Sequence, residues 1–305
     1  MKKAGIVMIG SSCIDEYYEL EYVPKLGEKT ICKPLGIKIG GMIGNAAAVA
    51  AAYGMRTYLF DTINNGPNTQ MLIQDLIDSG INTDLISYDN SLREVKCLIF
   101  LKDGERIIYV IPTEKRDLIL QKEQIDILKE QQYIYTSIGE MTCFRNPIET
   151  IDIFHKLNLK LILDIEYISE DSPEKDWEII SRSDITFINS EGYEQISKKI
   201  GTGAVEQMIK NGCMVVLTKG SEGCTVYLSN EVECSVPAYE VQPVDTTGAG
   251  DTFNASFVYG LSQGWDAEKT ARFANAAARS ILHMGARGGA VPEELVYEFM
   301  KTYHN

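Results

Sequence analysis

A stretch near the carboxyl-terminal end combines glycines, hydroxyl groups and carboxylates in an order that suits phosphoryl chemistry. Residues 245–253 are Asp-Thr-Thr-Gly-Ala-Gly-Asp-Thr-Phe, and Phe253, Phe257 and Leu261 recur at intervals of four, which predicts one apolar face of a helix. A glycine-rich turn that opens onto a helix leaves backbone N–H groups unpaired at the positive end of the helix dipole. Such a turn can bind a phosphate group or stabilise the charge of a phosphoryl group in transfer.

Asp251 gives this anion site a second property. A carboxylate beside bound polyphosphate is unfavourable unless it has a task, such as accepting the proton of an attacking hydroxyl group. The alternative is an acidic residue in the first turn of a helix, where it stabilises the dipole by about 0.3–1 kcal/mol. For the string as a whole we favour the first interpretation, which is general-base catalysis of phosphoryl transfer.

Two positions near the amino-terminal end are further candidates for ligand binding. Gly40 and Gly41 precede an alanine-rich run that ends at Gly54 and predicts a helix. Small residues let a ligand approach the backbone closely, although tight helix packing explains them equally well. Asp15 follows an apolar run that predicts a buried strand, and ligands of open α/β sheets gather beyond the carboxyl ends of strands. An ordinary exposed loop carboxylate is the alternative for Asp15.

Alternating strands and helices must position these residues. The apolar patterns predict strands at 3–10, 57–61, 83–88, 133–137, 160–165, 184–189, 214–219, 224–228 and 231–237. They predict further helices at 66–79, 121–131, 146–157, 267–284 and 291–303. This alternation indicates a parallel sheet with helices outside it. Residues 16–39 and 94–111 predict short additional strands, the second pair joined by a hairpin at Asp103 and Gly104.

Composition limits the classes of partner and compartment. The net charge of −14 over 305 residues argues against nonspecific binding of nucleic acid or of anionic membranes. No apolar stretch approaches 18 residues and the first one is too short for a signal peptide, so we expect a cytoplasmic protein. The seven cysteines are scattered and odd in number, which favours reduced structural thiols over a zinc site or a disulfide framework.

The string at 245–253 resembles the carboxyl-terminal signature of the ribokinase-like carbohydrate kinases, the phosphofructokinase B-type family, and further motifs follow the family's order along the chain. The resemblance implies an α/β fold, a ribokinase-like three-layer sandwich with a mainly parallel central sheet and a small β-sheet lid. It implies one kinase domain over 1–305, with lid segments at about 12–39 and 92–112. It also implies ATP-dependent phosphorylation of a hydroxyl group on a sugar, and a homodimer formed through the lid.

The resemblance assigns catalytic and substrate-binding roles to individual positions. The catalytic base is Asp251, and the anion hole is the backbone of Gly248, Ala249 and Gly250. The implied substrate contacts are Asp15, Gly41 and Asn45. Glu140 joins them as a candidate because it follows a predicted strand end, with an ordinary surface glutamate as the alternative.

The resemblance also implies Mg²⁺ and a monovalent cation such as K⁺. The nucleotide contacts are five residues, namely Asn189, Thr218, Gly220, Gly223 and Asn275. For the glycines a tight turn is the alternative, and for Asn275 a polar contact without a special role. The magnesium position is occupied by Gly192 where the family has glutamate, so Glu191 or Glu194 must substitute. The implied monovalent-cation site consists of Asp245, Thr247 and the loop at 285–290.

The sequence departs from ribokinase proper at two positions that bear on the acceptor. Cys13 stands where that enzyme has asparagine, and Met42 stands where it has lysine. A nucleoside kinase for adenosine, another purine nucleoside or pseudouridine is therefore an alternative, as is a noncatalytic ligand-binding relative. A dinucleotide oxidoreductase needs a Gly-x-Gly-x-x-Gly turn straight after the first strand, and the chain has Ser-Ser-Cys after Gly10. The motifs contain no evident arginine clamp, which favours an unphosphorylated acceptor.

Overall fold

The computed structural model describes residues 4–229, 232–240, 247–280 and 292–302. Its strands are β1 Gly5–Ile9, β2 Cys13–Leu20, β3 Cys32–Gly40, β4 Arg56–Ile63, β5 Asn82–Tyr88, β6 Lys96–Lys102, β7 Glu105–Ile111, β8 Tyr133–Ser137, β9 Lys160–Ile165, β10 Ile185–Asn189, β11 Met214–Thr218, β12 Cys224–Ser229 and β13 Val232–Val236. Its helices are α1 Met42–Ala52, α2 Pro67–Asp78, α3 Lys122–Leu128, α4 Ile138–Met141, α5 Pro147–Lys156, α6 Pro173–Ile180, α7 Ser190–Lys199, α8 Ala204–Lys210, α9 Ala249–Ser262, α10 Ala267–Ser280 and α11 Glu293–Thr302. Within these ranges no helix is long and apolar enough to cross a bilayer.

The larger of the two sheets has the strand order β13-β12-β11-β10-β9-β8-β1-β4-β5 among the described residues. Neighbouring strands from β11 to β5 in this order run parallel, whereas β12 is antiparallel to both of its neighbours. Parallel neighbours need crossover connections, and their carboxyl ends point to one edge of the sheet. Loops after β1, β9 and β10 therefore meet at that edge.

Helices cover both faces of the large sheet. Ile6 and Met8 of β1 pack into one apolar core together with residues of α1, α9 and α10. Val7 and Ile9 point to the opposite face and join a second core with residues of α5, α7 and α8. Successive side chains of a strand alternate between faces, so a strand covered on both faces must be apolar throughout. The predicted three-layer α/β sandwich is thereby confirmed.

A separate small sheet has the strand order β3-β2-β6-β7. Its central strands β2 and β6 are parallel, and the outer pairs are antiparallel. The β6–β7 hairpin turns at Asp103 and Gly104, whose φ angles are 52° and 86°. Two successive positive φ angles match the right-handed twist of the flanking strands, so the hairpin predicted at this Asp-Gly pair is confirmed. All four strands lie within the segments predicted for the small sheet, apart from Gly40 at the end of β3.

Some elements differ from the sequence-based expectation. The patterns did not predict α4, α6, α7 or α8, which have between four and ten residues. In α6 a start signal was present, since Pro173 occupies the first helical turn and Glu174 follows it. The helix expected at 267–284 is described as far as Ser280, and its last residues lie outside the described ranges.

Candidate active site

The turn at Gly248 opens α9, whose first backbone N–H groups have no acceptor within the helix itself. Gly248 caps the helix with a φ of 77°, and its carbonyl accepts a hydrogen bond of 2.9 Å from the amide of Thr252. This left-handed conformation disfavours any side chain, which explains the glycine. A Cβ added at Gly250 would meet no atom within 4 Å, so the first helical turn faces open space. The turn therefore lies at the positive end of a helix dipole, which an anion hole requires, and the anion hole itself stays a prediction.

Asp251 is held by a side chain from a distant helix. The Nδ2 atom of Asn45 donates a hydrogen bond of 2.8 Å to Oδ2 of Asp251. Asn45 is only 6% exposed, in α1, whose start at Gly41 has a φ of 94°. A Cβ on Gly41 would lie 2.8 Å from the carbonyl oxygen of Ser11, so glycine lets α1 approach the loop after β1. The glycine turns at Gly41 and Gly248 thus place the side-chain amide of Asn45 beside the carboxylate of Asp251.

A cleft of about 1220 Å³ lies between the small sheet and the start of α9. Its wall includes Asp15, Gly41, Asn45, Gly248 and Asp251. These residues come from β2, the start of α1 and the start of α9, which are far apart in the chain. The structure therefore gathers the predicted substrate contacts Asp15, Gly41 and Asn45 around one cavity with Gly248 and Asp251, whereas Glu140, Ala249 and Gly250 are not among its lining residues. We call this cavity the acceptor cleft.

Glu140 lies in a buried ion cluster and is not among the residues that line the acceptor cleft. Lys115 pairs with Glu140 at 2.7 Å and with Asp61 at 2.6 Å, and it donates a hydrogen bond of 3.0 Å to Ser11. The Lys115 and Asp61 side chains are 6% and 1% exposed. Desolvation lowers the pKa of Lys115, but the two carboxylates outweigh it and raise the pKa overall. The carboxylate of Glu140 is therefore engaged with Lys115 behind the loop that precedes β2.

A second cleft of about 650 Å³ lies on the other side of the α9 turn. All five predicted nucleotide contacts line it, namely Asn189, Thr218, Gly220, Gly223 and Asn275. Ala249 and Gly250 also line this cleft, whereas Gly248 and Asp251 line the acceptor cleft. The first turn of α9 therefore separates two cavities. We call the second cavity the nucleotide cleft.

The nucleotide cleft also contains groups that motif analysis did not identify. Arg279 and Lys219 line it, and Nη2 of Arg279 donates a hydrogen bond of 3.4 Å to the carbonyl oxygen of Gly220. Asn275, one helical turn before Arg279, donates through Nδ2 to the carbonyl oxygens of Val236 and Pro237. Asn275 thus fixes the end of β13. Arg279 follows Asn275 by four residues and so lies on the same face of α10, and this spacing was the sequence feature that could have identified Arg279.

The structure explains why a glutamate is absent at position 192. Asn189 caps α7 by accepting a hydrogen bond of 2.7 Å from the amide of Gly192. A Cβ at position 192 would lie 2.6 Å from the carbonyl oxygen of Ile165, so a side chain cannot enter without a backbone shift. Glu191 lines the nucleotide cleft and Glu194 does not. The position of the carboxylates therefore favours Glu191 over Glu194 as the substitute for the magnesium-ordering glutamate that is absent at position 192.

Four carboxylates extend from one cleft to the other. Desolvation and the charge of Glu191 raise the pKa of Glu166, which lines the acceptor cleft. Desolvation and the charge of Glu166 raise the pKa of Asp164 to about 8, with a smaller contribution from Asp251. Asp164 accepts hydrogen bonds from Tyr135 and Asn254 at 2.9 and 2.8 Å. The charge of Glu191 thus acts on Glu166 across the two clefts, and carboxylate oxygens are preferred ligands of divalent cations.

The implied monovalent-cation site falls mostly outside the described residues. Asp245 and the loop at 285–290 belong to the ranges without a description, whereas Thr247 lines the acceptor cleft. Thr247 accepts a hydrogen bond from Arg106 of β7, which also lines this cleft. Arg106 stands in a strand of the small sheet with no motif around it, so no sequence pattern identified it as a site residue.

Comparison with known proteins gives a consistent result. A model described as pfkB family carbohydrate kinase matches residues 3–293. A ribokinase from Bacillus subtilis (strain 168) is 27% identical over 305 residues, covering 97% of this chain and 99% of the relative. The structure of Arabidopsis thaliana ribokinase complexed with ribose and ATP has a TM-score of 0.84 and 24% identity, covering 98% and 99% of the two chains. A fructokinase from Xylella fastidiosa with bound ATP has a TM-score of 0.82 and 16% identity, covering 98% of each chain.

Proposed function

The chain belongs to the pfkB family of carbohydrate kinases, and on this premise we propose that it transfers the γ-phosphate of ATP to a hydroxyl group of an unphosphorylated sugar. The observation that carries the proposal is the position of the first turn of α9 between two clefts. A phosphoryl group at this turn would have the nucleotide on one side and the acceptor on the other. In-line transfer needs that arrangement, because attacking and leaving oxygens lie on opposite sides of the phosphorus.

Asp251 acts as the general base in this proposal. Its carboxylate lines the acceptor cleft, and the amide of Asn45 fixes its orientation at 2.8 Å. A base must lie within hydrogen-bond reach of the proton that it accepts, so a fixed carboxylate at the end of the cleft suits an incoming hydroxyl group. Asn45 is thus a positioning residue for Asp251 as well as a member of the cleft wall.

The backbone at Gly248, Ala249 and Gly250 stabilises the charge of the group in transfer. Phosphoryl transfer spreads negative charge over the equatorial oxygens of the phosphorus. Preorganised N–H donors and the positive end of the helix dipole lower the energy of that charge without reorganisation. The absence of a side chain at Gly250 keeps the turn open to the phosphates.

Two carboxylates, one in the wall of each cleft, are the candidates for holding magnesium. Glu191 on the nucleotide side and Glu166 on the acceptor side would hold it through oxygen ligands and bound waters. The ion would supply charge neutralisation to the phosphates of ATP. Gly192 has no side chain and cannot contribute a carboxylate, so Glu166 and Glu191 would have to supply the oxygen ligands instead.

The charge of the acceptor cleft supports a neutral acceptor. Its wall contains four carboxylates, which are Asp15, Glu105, Glu166 and Asp251. It contains two cations, which are Lys38 and Arg106. A sugar phosphate would enter a field of net negative sign, whereas the hydroxyl groups of a sugar can donate hydrogen bonds to carboxylates. Sugar hydroxyls therefore suit this cleft better than a phosphate group does.

A nucleoside is the second candidate acceptor, and one observation supports it. The small sheet contributes Tyr17, Leu35, Ile37, Ile99 and Ile108 to the wall of the acceptor cleft. An apolar and aromatic surface of this kind can pack against the face of a base, which a free sugar lacks. The two candidates share the chemistry at Asp251 and differ only in the acceptor.

The small sheet acts as a lid in this proposal. Arg106 of β7 already reaches Thr247 across the acceptor cleft, so the sheet and the approach to α9 are in contact. Closure over the acceptor would exclude water and suppress hydrolysis of ATP. Exposed apolar side chains on β7 that do not line the cleft, namely Tyr109 and Val110, support a homodimer through this sheet. Light scattering coupled to size-exclusion chromatography tests the dimer directly.

An ADP-release assay tests the proposed function. The wild-type protein is supplied with Mg²⁺, K⁺ and ATP and challenged with ribose, fructose, 2-keto-3-deoxygluconate, adenosine, other purine nucleosides and pseudouridine. The proposal predicts acceptor-dependent ADP release with a sugar. Release with nucleosides alone selects the second candidate. ATP binding without acceptor-dependent release for any member of the panel contradicts the proposal.

A further inference from the structure

Three side chains with metal-binding atoms meet on one face of the small sheet. Cys13 and Asp15 are two residues apart in β2, so both point to the same face of the strand. Cys97 of β6 is the direct pairing partner of Asp15 in the parallel β2–β6 ladder. Strand register therefore brings together two cysteines that are 84 residues apart in the chain. All three residues line the acceptor cleft.

The distances within this group are those of a preformed ligand set. The two Sγ atoms lie 4.0 Å apart, and Sγ of Cys13 lies 3.1 Å from Oδ1 of Asp15. One sulfur or oxygen atom from each of the three side chains lies within 4.8 Å of the others. A tetrahedral zinc ion with Zn–S bonds of about 2.3 Å holds two sulfur ligands about 3.8 Å apart. The two thiols are therefore already near the separation that a zinc ion requires.

We propose that Cys13, Asp15 and Cys97 form a binding site for a thiophilic divalent cation, with Zn²⁺ as the ion that fits best. Thiolates select zinc over magnesium, which prefers oxygen ligands and octahedral geometry. Three protein ligands leave the fourth tetrahedral position for water or for a ligand in the cleft. The sequence does not predict this site, because its two cysteines are far apart in the chain and form no short Cys-x-x-Cys motif.

Occupation of this site has a consequence for the acceptor. Asp15 belongs both to the ligand set and to the predicted acceptor contacts, so zinc and acceptor compete for its carboxylate. Zinc should therefore raise the KM for the acceptor and leave the KM for ATP unchanged. This kinetic consequence rests on the proposed function, whereas the binding of zinc to the free protein does not.

Direct metal binding to the reduced, nucleotide-free protein tests the proposal. Zinc affinity is measured by competition with a chromophoric chelator, and Co²⁺ is used as a spectroscopic probe. The proposal predicts one tight site per chain and a thiolate-to-cobalt charge-transfer band with the visible bands of tetrahedral cobalt. Loss of an outer-shell partner alone weakens metal sites by about 10–100-fold, so Cys97→Ser should weaken binding by at least about 100-fold.

Matched variants make the result decisive. Cys13→Ser should weaken cobalt binding as Cys97→Ser does, and agreement between the two variants guards against a folding defect peculiar to either one. Cys32→Ser is the control, because Cys32 is exposed at the opposite end of β3 in the same sheet, and it should bind zinc like the wild type. Wild-type affinity in both test variants, or no thiolate band in the wild type, would overturn the site. If the KM for the acceptor were unchanged with zinc bound, the proposed competition for Asp15 would be wrong, although zinc binding at the site would stand.

Discussion

Replacement of Lys115 by methionine should destabilise the protein strongly. Its ammonium group neutralises Asp61 and Glu140 at 2.6 and 2.7 Å, with 6% of the Lys115 side chain exposed. Removing one partner of a buried ion pair costs about 3–5 kcal/mol, because the remaining charge stays buried and unpaired. Here two carboxylates would remain, and Oδ2 of Asp61 has no hydrogen-bond partner among the described residues. We therefore expect the upper half of that range for the loss of unfolding free energy.

The pH dependence of this loss gives a second, independent check. Desolvation and Asp61 raise the pKa of Glu140 and Lys115 lowers it, so without Lys115 this pKa should rise further. A carboxyl group whose pKa is higher in the folded state stabilises that state where it is protonated, and this contribution disappears as the pH rises through the folded pKa. The deficit of Lys115→Met should accordingly be largest near neutral pH and smaller towards about pH 5.

Urea unfolding at both pH values measures the effect. Lys160→Met is the matched control, because Lys160 pairs with Asp184 at a similar distance of 2.7 Å but is 62% exposed. Exposed pairs contribute only about 0–1 kcal/mol, so this variant should stay close to the wild type. Equal free energies of unfolding for Lys115→Met and the control, or a deficit that grows on acidification, would refute the buried-cluster account.

Four further variants test the site. Gly248→Ala should lower kcat, since the left-handed turn costs a non-glycine residue about 1–2 kcal/mol and its distortion misdirects the N–H donors; unchanged steady-state kinetics would contradict this. Asn45→Ala should lower kcat about 10–100-fold with little change in ATP affinity, because it removes a hydrogen bond to a charged group worth about 1.5–3 kcal/mol. Glu166→Gln and Glu191→Gln should each raise the Mg²⁺ concentration needed for half-maximal activity, with Glu194→Gln as the control; a matching rise in Glu194→Gln would remove the distinction.

Much of the fold was predictable because local pattern and tertiary environment agree. The strand predicted at 160–165 coincides with Lys160–Ile165, since an apolar run between polar ends is what a strand covered on both faces requires. The Asp103–Gly104 hairpin was equally predictable, because its two residues tolerate positive φ. The two glycine turns were visible as sequence strings, and they do bring Asn45 to Asp251.

Features that depend on strand pairing or on long-range burial were not predictable. Cys13 and Cys97 meet only because β2 pairs with β6, which no local spacing encodes. Glu140 follows a strand end as predicted, but the distant Lys115 engages its carboxylate. The residue at position 192 in α7 shows the same limit, because the carbonyl of Ile165 that excludes a side chain there belongs to β9, a distant part of the chain.

The most direct test of the central claim compares catalysis with nucleotide binding in Asp251→Asn. The substitution keeps the shape of the side chain and removes its capacity to accept a proton. General-base catalysis contributes about 10²–10⁴-fold, so kcat for the acceptor identified in the panel should fall by that factor while the Kd for ATP stays near the wild-type value. Asp152→Asn, at an exposed position of α5, should match the wild type in both measurements. Wild-type turnover in Asp251→Asn, or an equal loss of turnover and ATP affinity, would contradict the role of Asp251 as the base.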